Sequence, residues 1–242
     1  MLAYPDNSVQ SYAWLQYLTW AIRQGTFPWW DPFAEAGRSF VGELQTGAFY
    51  LPNIVLSLFP RDQNSLLPII YIESFLLIHL VISCFLTYKL ARELGMVRTS
   101  AMISGLTFAF SGSVANRAFA QANLFSSAVW IPGAFLFYLR ALRAKKMPQQ
   151  VINSNLAGLF LALSLLAGHH QPPLYGCIGI AFLTIVLLGT RQEHRFSGCS
   201  RLLLIRVMFF SLLFAFGYSS FQLLASRESD VLCRSPSDWP AT

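Results

Sequence analysis

Long runs of apolar residues separated by short polar segments dominate the chain after its first quarter. The six runs cover residues 66–88, 101–115, 124–139, 156–167, 174–189 and 202–224. None alternates strictly between apolar and polar residues as a β-barrel strand would, and about 20 helical residues are needed to cross a hydrocarbon core. The pattern predicts an all-α polytopic membrane protein with about six transmembrane helices. The runs at 101–115 and 156–167 are short, so the predicted helices extend into less apolar neighbours.

Basic residues are concentrated in alternate loops between these runs. The three basic loops contain Lys89, Arg92 and Arg98; then Arg140, Arg143, Lys145 and Lys146; then Arg191, Arg195 and Arg201. Loops rich in Lys and Arg stay on the cytoplasmic side of a membrane. We therefore expect the loops at 116–123 and 168–173 to face outward. An even number of crossings places the C-terminal end on the same side as residues 1–64, which are predicted to be extracytoplasmic.

Residues 7–24 predict an amphipathic helix that does not cross the membrane. Its polar residues recur at three- to five-residue spacing: Ser8, Ser11, Gln16, Thr19 and Arg23. The opposite side is apolar: Val9, Ala13, Tyr17, Trp20 and Ala21. Asp6 or Asn7 would cap this helix and Gly25 would end it. Its Trp and Tyr rings favour the lipid headgroup level, so we expect an interfacial helix.

These patterns divide the chain into three parts. Residues 1–64 form an extracytoplasmic first segment, 65–225 the transmembrane region and 226–242 a polar tail. After the helix, the first segment continues through a stiff turn around Pro28 and Pro32 and a loop punctuated by Gly37, Gly42 and Gly47. Loops of this length in compact folds are often functional.

The composition supports a membrane protein and removes other classes. Of 242 residues, 55% are apolar and 12% charged, and the mean hydropathy is +0.49. The net charge of +6 is explained by the basic loops, so it gives no reason to expect a nucleic-acid partner. The cysteines, Cys84, Cys177, Cys199 and Cys233, lie in separate spans and loops. Their placement predicts neither a disulfide framework nor a metal cluster.

The unusual polar residues gather on the predicted outer side. They are Asp6, Asp31, Glu35, Glu43 and Gln45 in the first segment, Arg117 and Gln121 in one outer loop, and His169, His170 and Gln171 in the other. Acidic groups there can act as a base, and cationic groups can face a phosphate. An extracytoplasmic site at the membrane surface is the resulting hypothesis.

Each of these residues also has a plainer interpretation. Asp6 can simply cap the helix, and Asp31 can form a turn beside Pro32. Glu43 and Gln45 can be a solvated loop pair, and Arg117 can reach lipid headgroups. The two histidines can interact with the dipole at the C-terminus of the preceding helix.

Two ionisable residues, Glu73 and His79, lie inside a predicted span. Such residues are costly in lipid and are expected to face the bundle interior or a wet cavity. Glu73 is about two turns from the outer end and can join the outer site. His79 lies deeper, where a neutral, hydrogen-bonded packing role is more typical. A polar path through these two residues would instead suit a transporter or a lipid-handling protein without transfer chemistry.

Several stretches occur in an order that resembles one known family. They are YPDNSVQSYAWLQYLTWAIRQGTFPWWDPF, GELQTGAFYLPN, LTFAFSGSV, AVWIPGAFLFYLRAL, LAGHHQPPLYG and SSFQLLASRES. Together they resemble the bacterial YfhO-like membrane proteins of the GT-C glycosyltransferase superfamily. The resemblance implies an enzyme of the bacterial cytoplasmic membrane that moves a sugar from a polyprenyl-phosphate carrier to an extracytoplasmic acceptor.

The resemblance also implies roles for individual residues. Asp6 matches the essential aspartate of the first outer loop, and His169, His170 and Gln171 match an HPQ-like element, with His170 where proline is expected. In the resulting mechanism Asp6 is the catalytic residue, Glu43 and Gln45 contact the sugar, and Arg117 with the histidines holds the departing phosphate. The resemblance leaves open whether a divalent cation serves as a cofactor.

The resemblance departs from the family at both ends of the chain. Family members carry a membrane helix before the aspartate and further helices after the FQLLASRES stretch. The tail CRSPSDWPAT does not continue the family pattern. These departures predict an internal piece of a longer protein, and an inactive fragment is a further alternative.

Overall fold

Ten helices and one short β-ribbon make up the described part of the chain. The computed structural model describes residues 10–34, 37–63, 66–189 and 200–232. The helices are α1 (Tyr12–Arg23), α2 (Leu51–Ser57), α3 (Ile69–Glu93), α4 (Arg98–Ala109), α5 (Gly112–Ala120), α6 (Ala122–Ala128), α7 (Ile131–Arg143), α8 (Met147–Leu166), α9 (Gln171–Gly189) and α10 (Arg201–Leu232). The ribbon pairs β1 (Trp30–Asp31) with β2 (Arg38–Ser39), antiparallel, and a 3-10 helix covers Leu44–Thr46.

Five helical stretches are long and apolar enough to cross a membrane. Within the described residues they are Ile69–Glu93, Ala122–Arg143, Met147–Leu166, Gln171–Gly189 and Arg201–Glu228. The second of these combines α6 and α7. Most of the side chains in four of the five are not buried within the protein, which is compatible with contact with a lipid bilayer. The prediction of an all-α membrane protein is confirmed at this level.

The run at 101–115 does not form the continuous helix predicted from its composition. It is divided between α4 and α5, which have 12 and 9 residues, and neither is long enough to cross a membrane alone. The break falls at Ser111, whose backbone is extended and whose hydroxyl accepts a hydrogen bond from Val114 N at 3.3 Å. Ser111 is therefore the N-cap of a new helix, a preference that hydropathy does not measure.

The central core lies between α7, α8, α9 and α10, where small residues allow close approach. Ala134, Tyr138, Leu161, Ile180 and Leu204 are among its buried members. A Cβ atom at Gly158 would lie 2.6 Å from Phe214 Cβ, so α8 and α10 pack with almost no space between them. Close packing of this kind suits helix association in lipid, where the hydrophobic effect between helices is absent.

At one end of the bundle, called here the basic end, the described residues of the predicted basic loops lie together. Glu93 at the end of α3 accepts hydrogen bonds from Arg140 Nε at 3.1 Å and from Arg143 Nη1 at 2.7 Å. Nearby helices are joined by a hydrogen bond from Arg206 to Gln150. These contacts hold α3, α7, α8 and α10 in register at this end.

Residues 10–34 and 37–63 cover the other end of the bundle, called here the segment end. Their apolar side chains pack on the first turns of α3 and on Ala225 of α10. Gln222 Nε2 donates to the carbonyl oxygen of Val41 at 2.8 Å, and the Gln16 side chain pairs with both backbone groups of Leu67 at 2.8 and 2.9 Å. The described part of the first segment is thus a packed cap on the bundle.

The face that α1 buries differs from the predicted apolar face. Leu15, Leu18, Thr19 and Ala21 are buried, whereas Trp20 is 45% exposed. Thr19 can be buried because its hydroxyl donates to the carbonyl oxygen of Leu15 at 2.7 Å, so no polar group is left unsatisfied. Thr19, predicted on the polar side, is therefore buried in the protein, whereas the exposed Trp20 leaves the prediction of an interfacial helix untested.

The predictions for the two ends of α1 had different outcomes. Gly25, with φ of 73°, follows its last residues as predicted. The helix begins at Tyr12 in the described chain, and the cap predicted at Asp6 or Asn7 lies outside the described residues.

Candidate functional site

The first-segment loop is fastened to two other turns at the segment end. Glu43 Oε1 accepts a hydrogen bond from Gln45 N at 3.1 Å and so begins the 3-10 helix Leu44–Thr46. Asn123 Nδ2 donates to the carbonyl oxygen of Gln45 at 2.5 Å. A Cβ atom at Gly168, where φ is +103°, would lie 3.1 Å from the same carbonyl oxygen. The predicted site residue Gln45 is thereby placed beside the turn that carries the histidines.

Two predicted sugar contacts, Glu43 and Gln45, have different surroundings. The Glu43 carboxylate serves as a cap, and its other oxygen lies 3.9 Å from Arg38 Nη1. Gln45 is exposed, and only its backbone groups take part in the hydrogen bonds with Glu43 and Asn123. Gln45 is therefore the member of this pair with a free side-chain surface at the segment end.

The paired histidines lie at the start of α9, and their rings stack with centroids 5.1 Å apart. Gln171 N donates to His169 Nδ1 at 3.3 Å, so a neutral His169 carries its proton on Nε2. Burial lowers the pKa of His169, and the nearby charges of His170 and Arg117 lower it further. This hydrogen bond from Gln171 joins the His169 ring to the start of α9, whereas the dipole interpretation, which concerns the end of the preceding helix, stays a prediction.

Arg117, on α5, reaches the same region from the other outer turn. Its Nη1 atom donates to Gln121 Oε1 at 2.6 Å, and its charge acts on His169. The structure therefore brings three predicted residues, Arg117, His169 and Gln171, to one side of the segment end. Asn123, on α6, was not predicted as a site residue, because a single asparagine in an outer turn has no distinguishing spacing.

A groove of about 400 Å³ opens beneath these residues. Its polar members are Ser113, Arg117 and Gln171. The remaining wall is apolar or small: Phe108, Val114, Leu124, Phe125, Ala128, Ile131, Pro172, Tyr175 and Gly176. The groove thus combines a cationic mouth with an apolar interior, and Tyr175 on its wall is 64% exposed.

A second, smaller cavity of about 50 Å³ lies on the opposite face of α6. Glu73, Thr46, Asn53, Asn123 and Ser126 contribute its polar lining. α6 therefore separates the two spaces, with Asn123 and Ser126 on one side and Leu124 and Ala128 on the other. Glu73 therefore lies near residues of the segment end, and its place in an extracytoplasmic site stays a prediction.

His79 belongs to a buried hydrogen-bonded chain at the foot of the first segment. Trp130 Nε1 donates to Tyr50 Oη at 2.8 Å, and Tyr50 Oη lies 2.7 Å from His79 Nε2. His79 Nδ1 lies 2.8 Å from the carbonyl oxygen of Phe75, which can only accept. Both ring nitrogens are therefore used, with the proton on Nδ1, and the role is the packing role expected for a deep histidine.

The predictions for the acidic residues of the first segment had different outcomes. Asp31 forms a turn, as one interpretation predicted, because its Oδ1 accepts a hydrogen bond from Phe33 N at 2.9 Å. Asp6, the predicted catalytic residue, and Glu35 lie outside the described residues. Among the residues that the structure describes, no group of three or more His, Cys, Asp or Glu side chains is placed to hold a metal ion.

Comparisons with protein families, with curated proteins and with solved structures found no match for this chain.

Proposed function

We propose that this chain is a glycosyltransferase-like protein of a bacterial cytoplasmic membrane, acting on a sugar carried by polyprenyl phosphate. The observation that carries the proposal is the groove beside Arg117, which joins a cationic mouth to an apolar interior at one end of a membrane bundle. A lipid phosphate has the complementary arrangement, with its charge at the bilayer surface and its chain in the hydrocarbon.

The mouth of the groove suits a phosphate in both charge and geometry. Arg117 supplies a permanent cation with several N–H donors, and the stacked His169 and His170 supply further donors nearby. The charges that lower the pKa of His169 indicate a local positive potential, which a phosphate dianion would reverse. Negative charge that develops on a leaving phosphate would be stabilised most strongly there.

The proposed membrane topology includes a sixth crossing made by α4 and α5 together. α4 begins close to the basic end, while α6 begins at Ala122, next to Asn123, which contacts the first segment, so the chain between them passes from one end to the other. The segment end would face the extracytoplasmic side, because Lys and Arg are concentrated in the loops of the basic end. α1 would lie at the lipid interface.

In the proposed reaction an acceptor hydroxyl attacks the anomeric carbon and a C–O bond to it forms. The anomeric carbon–oxygen bond to phosphate breaks at the same time, and the polyprenyl phosphate leaves with the electron pair. Asp6 would take the acceptor proton, and the exposed Gln45 beside Glu43 would contact the sugar. Arg117 and His169 would hold the phosphate as its charge develops.

The transporter alternative has less support from the contacts of His79. Both of its ring nitrogens are hydrogen-bonded within the protein, so it offers no free site for a proton or a polar solute. Glu73 lies at the small cavity near the segment end rather than in a path through the bundle.

A photoreactive analogue of undecaprenyl phosphate, with the reactive group near the phosphate, tests the proposal. In the full chain reconstituted in nanodiscs we expect labelling of residues beside Arg117, and Arg117→Gln should reduce labelling about tenfold through loss of a charge-assisted contact. Arg98→Gln removes the same charge at the start of α4, close to the basic end, and should leave labelling unchanged.

Equal labelling of wild type and Arg117→Gln would contradict the proposed phosphate site. If the analogue binds as expected, Asp6→Asn should retain that binding and lose sugar transfer. Retained transfer in Asp6→Asn would remove this aspartate from the mechanism.

A further inference from the structure

A second pair of arginines lies at the segment end, at the end of α2. Arg23 donates to three backbone carbonyl oxygens there, those of Ser57 at 3.3 Å, Leu58 at 2.9 Å and Phe59. These carbonyls are the unpaired acceptors of the α2 C-terminus, so Arg23 holds α1 and α2 together. All of the acceptors are neutral, and Arg23 makes no ion pair with a residue that the structure describes.

Arg61 lies close to Arg23 and has fewer partners. Its Nε and Nη2 atoms are shielded from solvent and have no hydrogen-bond partner among the described residues. Burial lowers the pKa of Arg61, and the positive charge of Arg23 lowers it further. A guanidinium group with unsatisfied N–H donors beside a second cation is costly unless an anion completes the site.

An apolar groove of about 390 Å³ begins beside this arginine pair at Phe59, which lines the groove and whose carbonyl oxygen accepts from Arg23. It lies between α2 and α3, and its lining includes Phe59 and Tyr71, whose ring centroids are 5.4 Å apart. Along α3 the lining extends to Ile82, eleven residues beyond Tyr71. This is a depth of roughly 16 Å at the helical rise, which matches one leaflet of a hydrocarbon core about 30 Å thick.

We propose that this groove and the Arg23–Arg61 pair bind one anionic glycerophospholipid of the surrounding leaflet. The headgroup phosphate would accept hydrogen bonds from the Arg61 guanidinium after a small rotation of that side chain, and an acyl chain would occupy the groove. Charge selects the occupant, because two neighbouring cations that form no ion pair with any described residue favour a headgroup with net negative charge over a zwitterionic one. The apolar groove selects a lipid over a free phosphate ion.

This site is separate from the groove beside Arg117. The lipid groove is formed by α2 and α3, whereas the other is formed by α5, α6 and the start of α9. A lipid bound here would join α1, α2 and α3 and so stabilise the first segment on the bundle. The inference does not depend on sugar transfer.

Thermal unfolding of the full chain in nanodiscs tests the proposal. Nanodiscs of phosphatidylcholine alone are compared with nanodiscs containing one-third phosphatidylglycerol, and native mass spectrometry counts the lipids retained. We expect phosphatidylglycerol to raise the unfolding temperature and one molecule to be retained. Arg61→Gln should weaken that retention about tenfold, as expected for loss of hydrogen bonds to a charged group.

Two further variants separate a specific site from general surface charge. Arg38→Gln removes a cation at the same end that already has Glu43 nearby, and it should retain the lipid. Val55→Trp fills the groove from α2 without touching either arginine, and it should lose the lipid even if Arg61→Gln fails to fold. Equal retention in Val55→Trp, an equal effect of pure phosphatidylcholine, or the same stabilisation by inorganic phosphate would overturn the proposal.

Discussion

The two ends of the helix bundle are held together by different chemistry. At the basic end, the Glu93 carboxylate joins α3 to α7 through two arginines. At the segment end, side-chain amides reach backbone carbonyls, as Asn123 does to Gln45 and Gln222 does to Val41. The basic end joins helices through charge, whereas the segment end fastens an irregular chain to helices through hydrogen bonds between side chains and backbone groups.

This difference follows from what each end has to hold. Helix ends in a basic loop present long flexible side chains, and one carboxylate can satisfy two of them. An irregular loop presents backbone N–H and C=O groups that have no helical partner, and each of these needs its own donor or acceptor. The segment end therefore depends on specific side-chain positions, such as those of Tyr50 and Asn123, more than on net charge.

Removal of Tyr50 should have the largest effect, because it lies where the first segment meets the bundle. Tyr50→Ala would leave a cavity and remove the partner of both His79 and Trp130, at a cost of about 3–5 kcal/mol. Tyr50→Phe keeps the ring and removes only the hydroxyl, at a cost of about 1–3 kcal/mol. Unfolding by SDS in mixed micelles measures both changes. Equal costs for the two variants would mean that the hydroxyl, not the ring, holds the segment.

Removal of Glu93 tests the other side of the comparison. Glu93→Ala leaves Arg140 and Arg143 without their carboxylate at a partly buried site and should cost about 2–3 kcal/mol. Arg38→Gln is the matched change at the segment end, where the ion pair is long at 3.9 Å and should be worth less than about 1 kcal/mol. The same unfolding assay compares them. A larger loss in Arg38→Gln than in Glu93→Ala would contradict the assignment of charge pairing to the basic end.

Hydropathy and charge predict the part of this structure that depends on lipid. Long apolar runs become helices because backbone polar groups in lipid must pair internally, and five of the described stretches meet that condition. The same measures fail at Ser111 and Thr19, where a hydroxyl pairs with a nearby backbone group and changes the local outcome. Short-range hydrogen bonds of this kind depend on a single atom and leave hydropathy unchanged.

The candidate site, like the fold, could be predicted from the sequence only in part. Arg117, His169 and Gln171 could be grouped from topology alone, because alternate loops share one side of a membrane. The roles of Tyr50 and Asn123 could not, since each depends on a contact between residues far apart in the chain. The contacts by which Arg23 joins α1 to α2 also link residues far apart in the chain, so they could not be predicted either.

The smallest expected effect concerns pH at the segment end. The folded chain lowers the pKa of His169 from its ordinary value of 6.5, through burial first and then through His170 and Arg117. Below pH 6.5 the unfolded chain therefore binds more protons at this residue than the folded chain does. The stability that His169 contributes is complete above pH 6.5, falls as pH decreases, and levels off below its folded pKa.

Comparison of wild type with His169→Asn isolates this contribution from other titrating groups. The unfolding temperature of wild type should fall more between pH 7.5 and pH 5 than that of the variant. Arg117→Gln removes one of the charges that lower the pKa of His169, so its acid sensitivity should lie between the two. An acid sensitivity in His169→Asn equal to that of wild type would show that His169 does not titrate differently on folding. Burial and the nearby charges of His170 and Arg117 would then not lower its pKa on folding.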